Sequence, residues 1–507
     1  MYSSRRCLSP KIATLISLTV VAIFLISGLL ALPTARAFTN GQSAVTAIGQ
    51  TNLTSSTSGL TQSTLSDPQG MVFDSSGNLW VADSGNNRVL EFQAPLSTGE
   101  SASIVLGEAN FTESSIDCAY SSVITASCLS TPEGLAFDKS GDLWVVDSGS
   151  YRILEFTPPF TNDENASLVI GQPNLTTGGN SGGTPTASNL NLPNGIGFDG
   201  SGNLWVADTL DNRVLEFTAP FSDGEAASVV LGQDNFTSGV FANYSSGCQL
   251  GQECPTASSL TTPDGVKFDS SGNLWTAERG TGRILEFKAP FTNGESSSLV
   301  LGQASFTTWG DAGGFYCSAV TPAQYCVSPD SLTFDKSGSM WVADTDNWRV
   351  VSFNQPFTNY ENESVVLGLP NFTATPPNSG QQNANASNMA IPEAVAIDSA
   401  GNVWVSDSGQ NRVVEFLASS TIATSSTTGT STSSSTPATT TSSTTAASSA
   451  TTAQTSTSST SGGGGVPEFP YQLAIASVFT VLLAVCYLLV RGRTTFKGRA
   501  SRESAGF

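Results

Sequence analysis

The 507-residue chain contains no histidine, only 8 cysteines, and 20 basic residues against 41 acidic ones. Without an imidazole, general acid–base catalysis could rest only on carboxylates, tyrosine or lysine. The missing histidine and the absence of any Cys-x-x-Cys spacing argue against a zinc site. The formal net charge of −21 argues against nucleic acid as a partner, because phosphates would be repelled.

Internal repetition is what the sequence has in abundance. The cleanest copy, PQGMVFDSSGNLWVADSGNNRVLEF, spans residues 68–92. The five further copies start at a period of 61 to 70 residues, at Pro132, Pro193, Pro263, Pro329 and Pro392. Self-similarity of this kind is typical of repeat architectures, and it implies that most recurring residues serve the scaffold.

Each repeat holds four strand-like runs. In the first repeat these are Met71–Phe73, Leu79–Ala82, Val89–Phe92 and Ser103–Leu106. Gly, Asn, Asp and Ser between the runs indicate tight antiparallel connections. The runs are apolar on successive residues, as expected for strands buried on both faces. The sequence therefore predicts an all-β fold, a β-propeller with one four-stranded blade per repeat.

Three residue types recur at fixed places in the repeat. Large rings at one position suit packing between blades, and they are Trp80, Trp144, Trp205, Trp275, Trp341 and Trp404. An acid follows three residues later, at Asp83, Asp147, Asp208, Glu278, Asp344 and Asp407. An arginine follows five residues after that, at Arg88, Arg152, Arg213, Arg283, Arg349 and Arg412. We expect each acid and arginine to form an ion pair that ties a turn to the next strand.

The sixth copy ends at Phe416 without a fourth strand. The missing piece lies at the other end of the chain, where residues 38–54 match the segment that follows the third strand in other repeats, such as residues 291–303. We therefore expect the N-terminal strand to complete the sixth blade. This closes a six-bladed ring and protects its sheet edges.

The segments around the predicted propeller, residues 38–417, indicate export. Residues 1–37 have a basic start, an apolar run and a small-x-small site, which predicts a signal peptide, although the long apolar run leaves an uncleaved anchor open. Residues 418–465 are dominated by Ser, Thr and Ala and end in four glycines, which predicts a disordered stalk.

The C-terminal part predicts a single membrane anchor. Residues 466–490 include twenty nearly uncharged residues, enough for one transmembrane helix. Residues 491–507 form a basic tail, which places the C-terminus in the cytoplasm and the propeller at the cell surface. Val466-Pro-Glu-Phe-Pro470 with the helix and tail after it resembles the PEF-type sorting signals of archaeal surface proteins. That resemblance implies that an archaeosortase replaces the helix with a lipid; a simple stop-transfer anchor is the alternative.

Six cysteines form close pairs in the insertions between repeats, which predicts disulfides in an exported protein. The pairs are Cys118 with Cys128, Cys248 with Cys254, and Cys317 with Cys326. Nine Asn-x-Ser/Thr sequons are candidates for N-glycosylation, although the short motif also arises by chance. They begin at Asn52, Asn110, Asn165, Asn174, Asn235, Asn243, Asn362, Asn371 and Asn385.

At the level of whole repeats, the pattern P-x-G-[apolar]-x-F-D-x-S-G-N-L-W-V-A-D-S-x-N-x-R resembles the NHL family. It is nearly complete at Pro68–Val89 and Pro193–Val214. The resemblance implies a propeller that binds proteins, nucleic acids or glycans, with enzymes in the minority. The amidating-lyase and streptogramin-lyase members rely on histidine, so we do not expect their chemistry here. The fourth and fifth repeats depart from the pattern, at Thr276, Glu278, Arg279, Ser331 and Ser352.

The residue after the Pro that starts each first strand is always an acid or an amide. These residues are Gln69, Glu133, Asn194, Asp264, Asp330 and Glu393. If the first strand is innermost, they surround one mouth of the central channel. Converging carboxylates repel unless they are protonated, hydrated or bridged by a cation. Because Ca²⁺ prefers oxygen ligands, we predict a calcium site at Glu133, Asn194, Asp264, Asp330 and Glu393, with an ordinary polar turn as the alternative.

The same positions are similar to those of gluconolactonase-like (senescence marker protein) propellers, which hold one divalent metal at the blade entrances. Asn194 and Asp264 look like the corresponding ligands, with Glu133 or Glu393 completing the set, and the resemblance implies lactone hydrolysis. The turn at residues 74–78 lacks the downstream bidentate Glu of a calcium loop, which indicates a tight turn.

We expect a non-enzymatic extracellular propeller that binds a protein, peptide or glycan through its loops and channel mouth. A calcium-dependent lactonase or esterase at the mouth is one alternative, and a structural component of the cell envelope is another. The predicted propeller carries 39 acidic and 11 basic residues, a net charge of −28. Such a surface suits cations, basic partners or solubility outside the cell.

Overall fold

The structure, a computed structural model, describes residues 36–114, 124–179, 184–239, 255–308, 327–374 and 383–420. These residues form six four-stranded antiparallel sheets and one further two-stranded pairing. The first strand of each sheet contacts the first strands of both neighbouring sheets, so the six sheets form a closed ring. The predicted six-bladed propeller is confirmed.

The strands of each blade follow one another from the channel outwards, and we number the blades 1 to 6 in the order of their inner strands. The inner strands are Pro68–Phe73, Pro132–Phe137, Pro193–Phe198, Pro263–Phe268, Pro329–Phe334 and Pro392–Ile397. The second strands are Leu79–Asp83, Leu143–Asp147, Leu204–Asp208, Leu274–Glu278, Met340–Asp344 and Val403–Asp407. The third strands are Arg88–Phe92, Arg152–Phe156, Arg213–Phe217, Arg283–Phe287, Arg349–Phe353 and Arg412–Phe416. The outer strands of blades 1 to 5 are Ile104–Leu106, Leu168–Ile170, Val229–Leu231, Leu299–Leu301 and Val365–Leu367.

Blade 6 is completed from the N-terminal side of the chain. Thr46–Ile48 is its outer strand and pairs antiparallel with Arg412–Phe416, Thr46 lying opposite Glu415. Next to these, Arg36–Ala37 pairs with Ser419–Ser420. The predicted closure of the ring is therefore confirmed, and both ends of the propeller are held in one blade.

A short 3₁₀ helix links the second and third strands in five blades. These helices are Ser84–Asn86, Ser148–Ser150, Thr209–Asp211, Thr345–Asn347 and Ser408–Gln410. In blade 4 the corresponding residues 279–282 form a turn that begins with Arg279. The departure of the fourth repeat from the consensus is therefore a change in backbone conformation as well as in side chains.

The repeated tryptophans pack between blades, as predicted. Trp80 of blade 1 is fully buried among residues of blades 1 and 2, and its ring lies 4.8 Å from that of Phe160 in blade 2, edge to face. Trp341 of blade 5 makes the same contact with Phe38, at 4.7 Å, so the N-terminal segment also joins blades 5 and 6. Aromatic pairs in this geometry add to the hydrophobic stabilisation of each interface between blades.

A buried ion pair joins the second and third strands of every blade, as predicted. In blade 1, Arg88 Nε donates to Asp83 Oδ2 at 2.7 Å, and neither side chain is exposed. Asp83 Oδ1 accepts from the backbone N–H of Ser66, while the Arg88 guanidinium donates to the carbonyls of Thr61 and Phe111. Burial of a charge pair is compatible with stability when its remaining donors and acceptors are satisfied in this way. The equivalent pairs are Asp147–Arg152, Asp208–Arg213, Glu278–Arg283, Asp344–Arg349 and Asp407–Arg412.

Several predictions concern residues outside the described ranges. They are most of the signal peptide, the stalk, the PEF-type segment, the transmembrane helix, the basic tail, Asn243, and Cys118, Cys248, Cys254, Cys317 and Cys326. Cys128 is described and buried, but the pairing of the cysteines stays a prediction. Within the described ranges, no helix has the length and apolar character needed to cross a membrane.

Replacing Arg152 by Met is expected to lower the free energy of unfolding by about 3–5 kcal/mol, because the Asp147 carboxylate stays buried without its counter-charge. The substitution also removes the donors to the carbonyls of Leu175 and Cys128. Urea denaturation followed by tryptophan fluorescence measures the loss.

The control is Lys288→Met, because Lys288 is 62% exposed and pairs with Glu286 at 3.6 Å. A surface pair of this kind contributes about 0–1 kcal/mol. Equal losses in the two variants would show that the buried pair is not a main support of the fold.

Candidate functional site at the channel mouth

Close packing of the inner strands brings the predicted site residues together. A Cβ atom on Gly70 would lie 2.2 Å from the carbonyl oxygen of Glu133, and one on Gly195 would lie 2.1 Å from that of Asp264. Only glycine fits at such distances, so this residue lets neighbouring inner strands approach each other. A register shift after Pro68, where the inner strand bulges, lies beside the position that the sequence singled out.

One cavity of about 210 Å³ runs between the inner strands. All six residues predicted at the channel mouth line it, and we call them the mouth ring: Gln69, Glu133, Asn194, Asp264, Asp330 and Glu393. Apolar side chains such as Leu332 and Val395 line the same cavity. All six positions therefore line one channel, as expected if the first strand of each blade is innermost.

Burial and mutual repulsion act on the carboxylates of the mouth ring. Asp264 and Asp330 are only 5% and 6% exposed. Burial raises the pKa of Glu133, Asp264 and Glu393 well above the usual carboxyl value, and repulsion by Asp330 raises each of these pKa values further. A cation that enters the ring would relieve this repulsion.

Arg279 supplies one counter-charge to the mouth ring. Its Nη1 donates to Asp330 Oδ2 at 3.0 Å and its Nη2 donates to Asp346 Oδ1 at 3.0 Å. The side chain is 35% exposed, so the guanidinium is partly open to solvent. It comes from the turn that stands in place of the 3₁₀ helix in blade 4. The sequence marked Arg279 as a departure from the repeat, but not its contact with the next blade.

Lys267 is a basic residue of the cavity that sequence reasoning missed. The other blades have an uncharged residue at this position: Val72, Ala136, Gly197, Thr333 and Ala396. Burial lowers the pKa of the Lys267 amino group, because the charged form is poorly solvated there. The signal in the sequence was a charged residue at a repeat position where the other five blades have apolar or small residues.

The calcium site stays a prediction. The carboxylate and amide oxygens of the mouth ring line a common cavity, but no three of its carboxylate side chains have oxygens within 4.8 Å of one another. In the described part of the chain, one acidic group meets that distance: Asp138, Asp142 and Glu155, at the end of blade 2 opposite the mouth.

The residue at the position of Asp142 in the other blades explains this second acidic group. In blade 1, Asn78 Nδ2 lies between two carboxylates and donates to Asp74 at 2.8 Å and to Glu91 at 3.1 Å. Asn203, Asn273 and Asn402 make the same two contacts in their blades. Blade 2 has Asp142 at this position, so three carboxylates face one another. Burial, and then repulsion by Asp138, raise the pKa of Asp142.

Comparison with known proteins supports the architecture. The NHL repeat profile matches residues 65–92 and 129–156. The chain therefore contains NHL repeats, and these belong to a six-bladed β-propeller. No curated protein matches the chain significantly.

Several solved structures of lyases are distantly similar. A streptogramin B lyase is 13% identical with a TM-score of 0.39, over 69% of this chain and 93% of that one. Two structures of virginiamycin B lyase from Staphylococcus aureus also cover 69% of this chain. The catalytically inactive form with quinupristin is 11% identical with a TM-score of 0.36 over 79% of its length, and the selenomethionine form is 12% identical with a TM-score of 0.37 over 94%. Likeness at this level carries no argument about the chemistry of this chain.

Asp142→Asn is expected to raise the free energy of unfolding at neutral pH by about 0.5–1.5 kcal/mol, because the new amide can donate to Asp138 and Glu155. A carboxyl whose pKa is raised by folding destabilises the fold as the pH rises through that pKa. The gain should therefore shrink at about pH 4, because Asp142 with its raised pKa takes up a proton at a higher pH than an ordinary aspartate. Urea denaturation at both pH values measures it.

The matched control reverses the change in a sister blade. Asn203→Asp should lower the free energy of unfolding by a similar amount, because it removes the donor that lies between Asp199 and Glu216. A neutral or destabilising effect of Asp142→Asn would contradict the explanation.

Proposed function

We propose that this chain is an interaction protein whose propeller binds a protein or peptide ligand by taking a basic side chain into the mouth ring. The observation that supports this most directly is the convergence of four carboxylates on one cavity, where Arg279 is the only basic side chain of the described residues that pairs with one of them. NHL propellers are suited to interaction roles because a rigid ring presents its loops and channel mouth to a partner.

The charge of the mouth ring is only partly balanced by the chain itself. Arg279 pairs with Asp330, whereas Glu133, Asp264 and Glu393 form no ion pair with a basic side chain in the described ranges. An incoming guanidinium or ammonium would restore the ionised state of these carboxylates. Charge-assisted hydrogen bonds in such a partly enclosed place are stronger than the same contacts on an open surface.

This chemistry favours a protein or peptide over a plain glycan. Arginine and lysine side chains carry a positive group on a long stem, and the apolar walls of the cavity suit the stem. The hydroxyl groups of a neutral glycan would leave the repulsion between carboxylates unrelieved.

We also propose that the propeller is displayed outside the cell. The N-terminal signal, the Ser/Thr-rich stalk, the apolar segment with its basic tail, and the three close cysteine pairs support this location together. Whether a transmembrane helix or a lipid holds the mature protein depends on processing at the PEF-type segment.

Binding of a capped peptide that contains arginine should be measurable by titration, with a peptide that has glutamine in place of arginine as the reference. Glu133→Gln should weaken binding by about threefold to tenfold, because it removes one charge-assisted contact. The matched control is Asp234→Asn, which removes one exposed charge that does not belong to the mouth ring. Equal loss in both variants would indicate attraction to the acidic surface as a whole.

The affinity should also fall as the buffer is changed from about pH 8 to about pH 5. The raised pKa values of Glu133, Asp264 and Glu393 mean that these groups take up protons at a higher pH than ordinary carboxyls, and a cation binds their ionised forms. Ca²⁺ in the same titration serves as a competitor and tests the calcium prediction. An affinity that changes neither with pH nor in Glu133→Gln would contradict the mouth-ring proposal.

External protease added to intact cells should remove an epitope in the propeller, whereas a tag placed after Phe507 should be degraded only after lysis. Absence of the tag from the mature protein, with a lipid on the remaining chain, would support sorting at the PEF-type segment. Protection of the propeller epitope in intact cells would contradict export. Peptide mapping without a reductant tests the three disulfides in the same material.

A further inference from the structure

We propose that five sequons, one in each blade but blade 4, carry N-linked glycans that surround the face on which the mouth ring opens. The five are Asn52, Asn110, Asn174, Asn235 and Asn371. The proposal rests on the location outside the cell proposed above, but it concerns a different surface from the mouth ring.

The five sequons share one turn, which follows the outer strand of the blade. In blade 1, Asn110 Oδ1 accepts from the backbone N–H of Thr112 at 2.9 Å and from its hydroxyl at 2.8 Å. The other four asparagines accept the same two hydrogen bonds from the threonine two residues later, at 2.7 to 3.0 Å. The carbonyl oxygen of each side chain is thus held by the turn.

The side-chain amide nitrogens of the five asparagines are accessible for glycosylation. Asn52, Asn174, Asn235 and Asn371 are exposed and Asn110 is half-buried. Nδ2 of Asn52 contacts the neighbouring Thr51 hydroxyl at 3.3 Å, whereas the other four Nδ2 atoms have no hydrogen-bond partner in the described residues. In the transfer step, Nδ2 forms a bond to C1 of the sugar, the C1–O bond to a polyprenyl phosphate carrier breaks, and one amide proton is lost.

The other described sequons lack the hydroxyl contact of this arrangement, although Asn385 Oδ1 still accepts from the backbone N–H of Ser387 at 2.7 Å. The hydroxyl of Ser167, in the sequon of Asn165, donates to Glu155 Oε2 at 2.6 Å. The hydroxyl of Ser364, in the sequon of Asn362, contacts that of Ser352 at 2.9 Å. In the sequon of Asn385 the hydroxyl of Ser387 contacts that of Ser43 at 2.8 Å. These three hydroxyls are engaged with neighbouring strands and loops rather than with the asparagine.

The five turns lie on the face that holds the mouth ring. Pro68, next to Gln69, pairs with Asp83, and Asp83 pairs with Arg88. Arg88 Nη1 in turn donates to the carbonyl of Phe111, the middle residue of the sequon, at 2.7 Å. The repeat reproduces this path, with Arg152 bound to Leu175 and Arg412 bound to Leu53. Glycans on these turns would therefore stand around the rim of the mouth face.

Blade 4 interrupts this series. It has Ser305 where the other blades have asparagine, although the turn is kept, since Ser305 Oγ accepts from the backbone N–H of Thr307 at 3.3 Å. The same blade supplies Asp264 and Arg279 to the mouth. A ligand thus has an approach over blade 4 that is free of glycans on this series of turns.

The test is glycopeptide mass spectrometry on the full chain produced by its own cells. We expect occupancy at Asn52, Asn110, Asn174, Asn235 and Asn371, and little at Asn165, Asn362 and Asn385. Asn110→Asp should lose one glycan while keeping the oxygen acceptor of the turn. Ser305→Asn creates the sequon Asn-Phe-Thr in blade 4 and should gain one.

Unmodified asparagines at the five turns, equal occupancy at the other three, or no gain in Ser305→Asn would each overturn the proposal. Denaturation curves of both variants confirm that they fold. Peptide binding is measured on deglycosylated protein. Failure of the glycan proposal therefore does not affect the test of the mouth-ring proposal.

Discussion

The buried pair of an acid and an arginine in each blade is the interaction on which the rest of the structure depends. In blade 1, Asp83 holds the backbone just before the inner strand through Ser66, and Arg88 holds the turn after the outer strand through Phe111. The inner end of the blade, where the mouth ring lies, and its outer rim are thus fixed by one network. Because the charged groups are buried, water cannot replace a hydrogen bond that is lost. The loss of any one contact therefore destabilises the network.

Blade 5 shows how the scaffold adapts when one part of that network changes. Glu363 stands where four other blades have alanine and blade 4 has Ser297, and its Oε1 accepts from Arg349 Nη2 at 2.9 Å. Burial raises the pKa of Glu363 to about 8 despite the nearby guanidinium. The Glu363 carboxylate therefore balances the charge of Arg349 locally and is part of the scaffold. It shows that an acid with a shifted pKa is not by itself a functional residue in this fold.

The sequence predicted the fold well because the repeat supplies six independent readings of one pattern. Strand positions, the tryptophans between blades, the ion pairs and the closing strand all follow from comparison of the copies. The convergence of Gln69, Glu133 and Asp264 on one cavity followed too, once the strand that begins with Pro was taken as innermost. What the repeat could not predict are contacts made by departures from it. Arg279 reaches Asp330 only because the turn of blade 4 has a different backbone, and Asp142 meets Glu155 only through the pairing of the second and third strands.

Three departures from the repeat lie together in blade 4, and their position is the strongest argument that the mouth face has a function. A ring of six blades can depart from its repeat at single positions without a functional cause, as Asp142 of blade 2 and Glu363 of blade 5 do. Here blade 4 alone brings Lys267 into the cavity, replaces its 3₁₀ helix by a turn that carries Arg279, and has Ser305 in place of the sequon asparagine. These changes affect the inner wall, the mouth and the rim of the same blade. The ligand proposed above, approaching over blade 4, would meet all three changes.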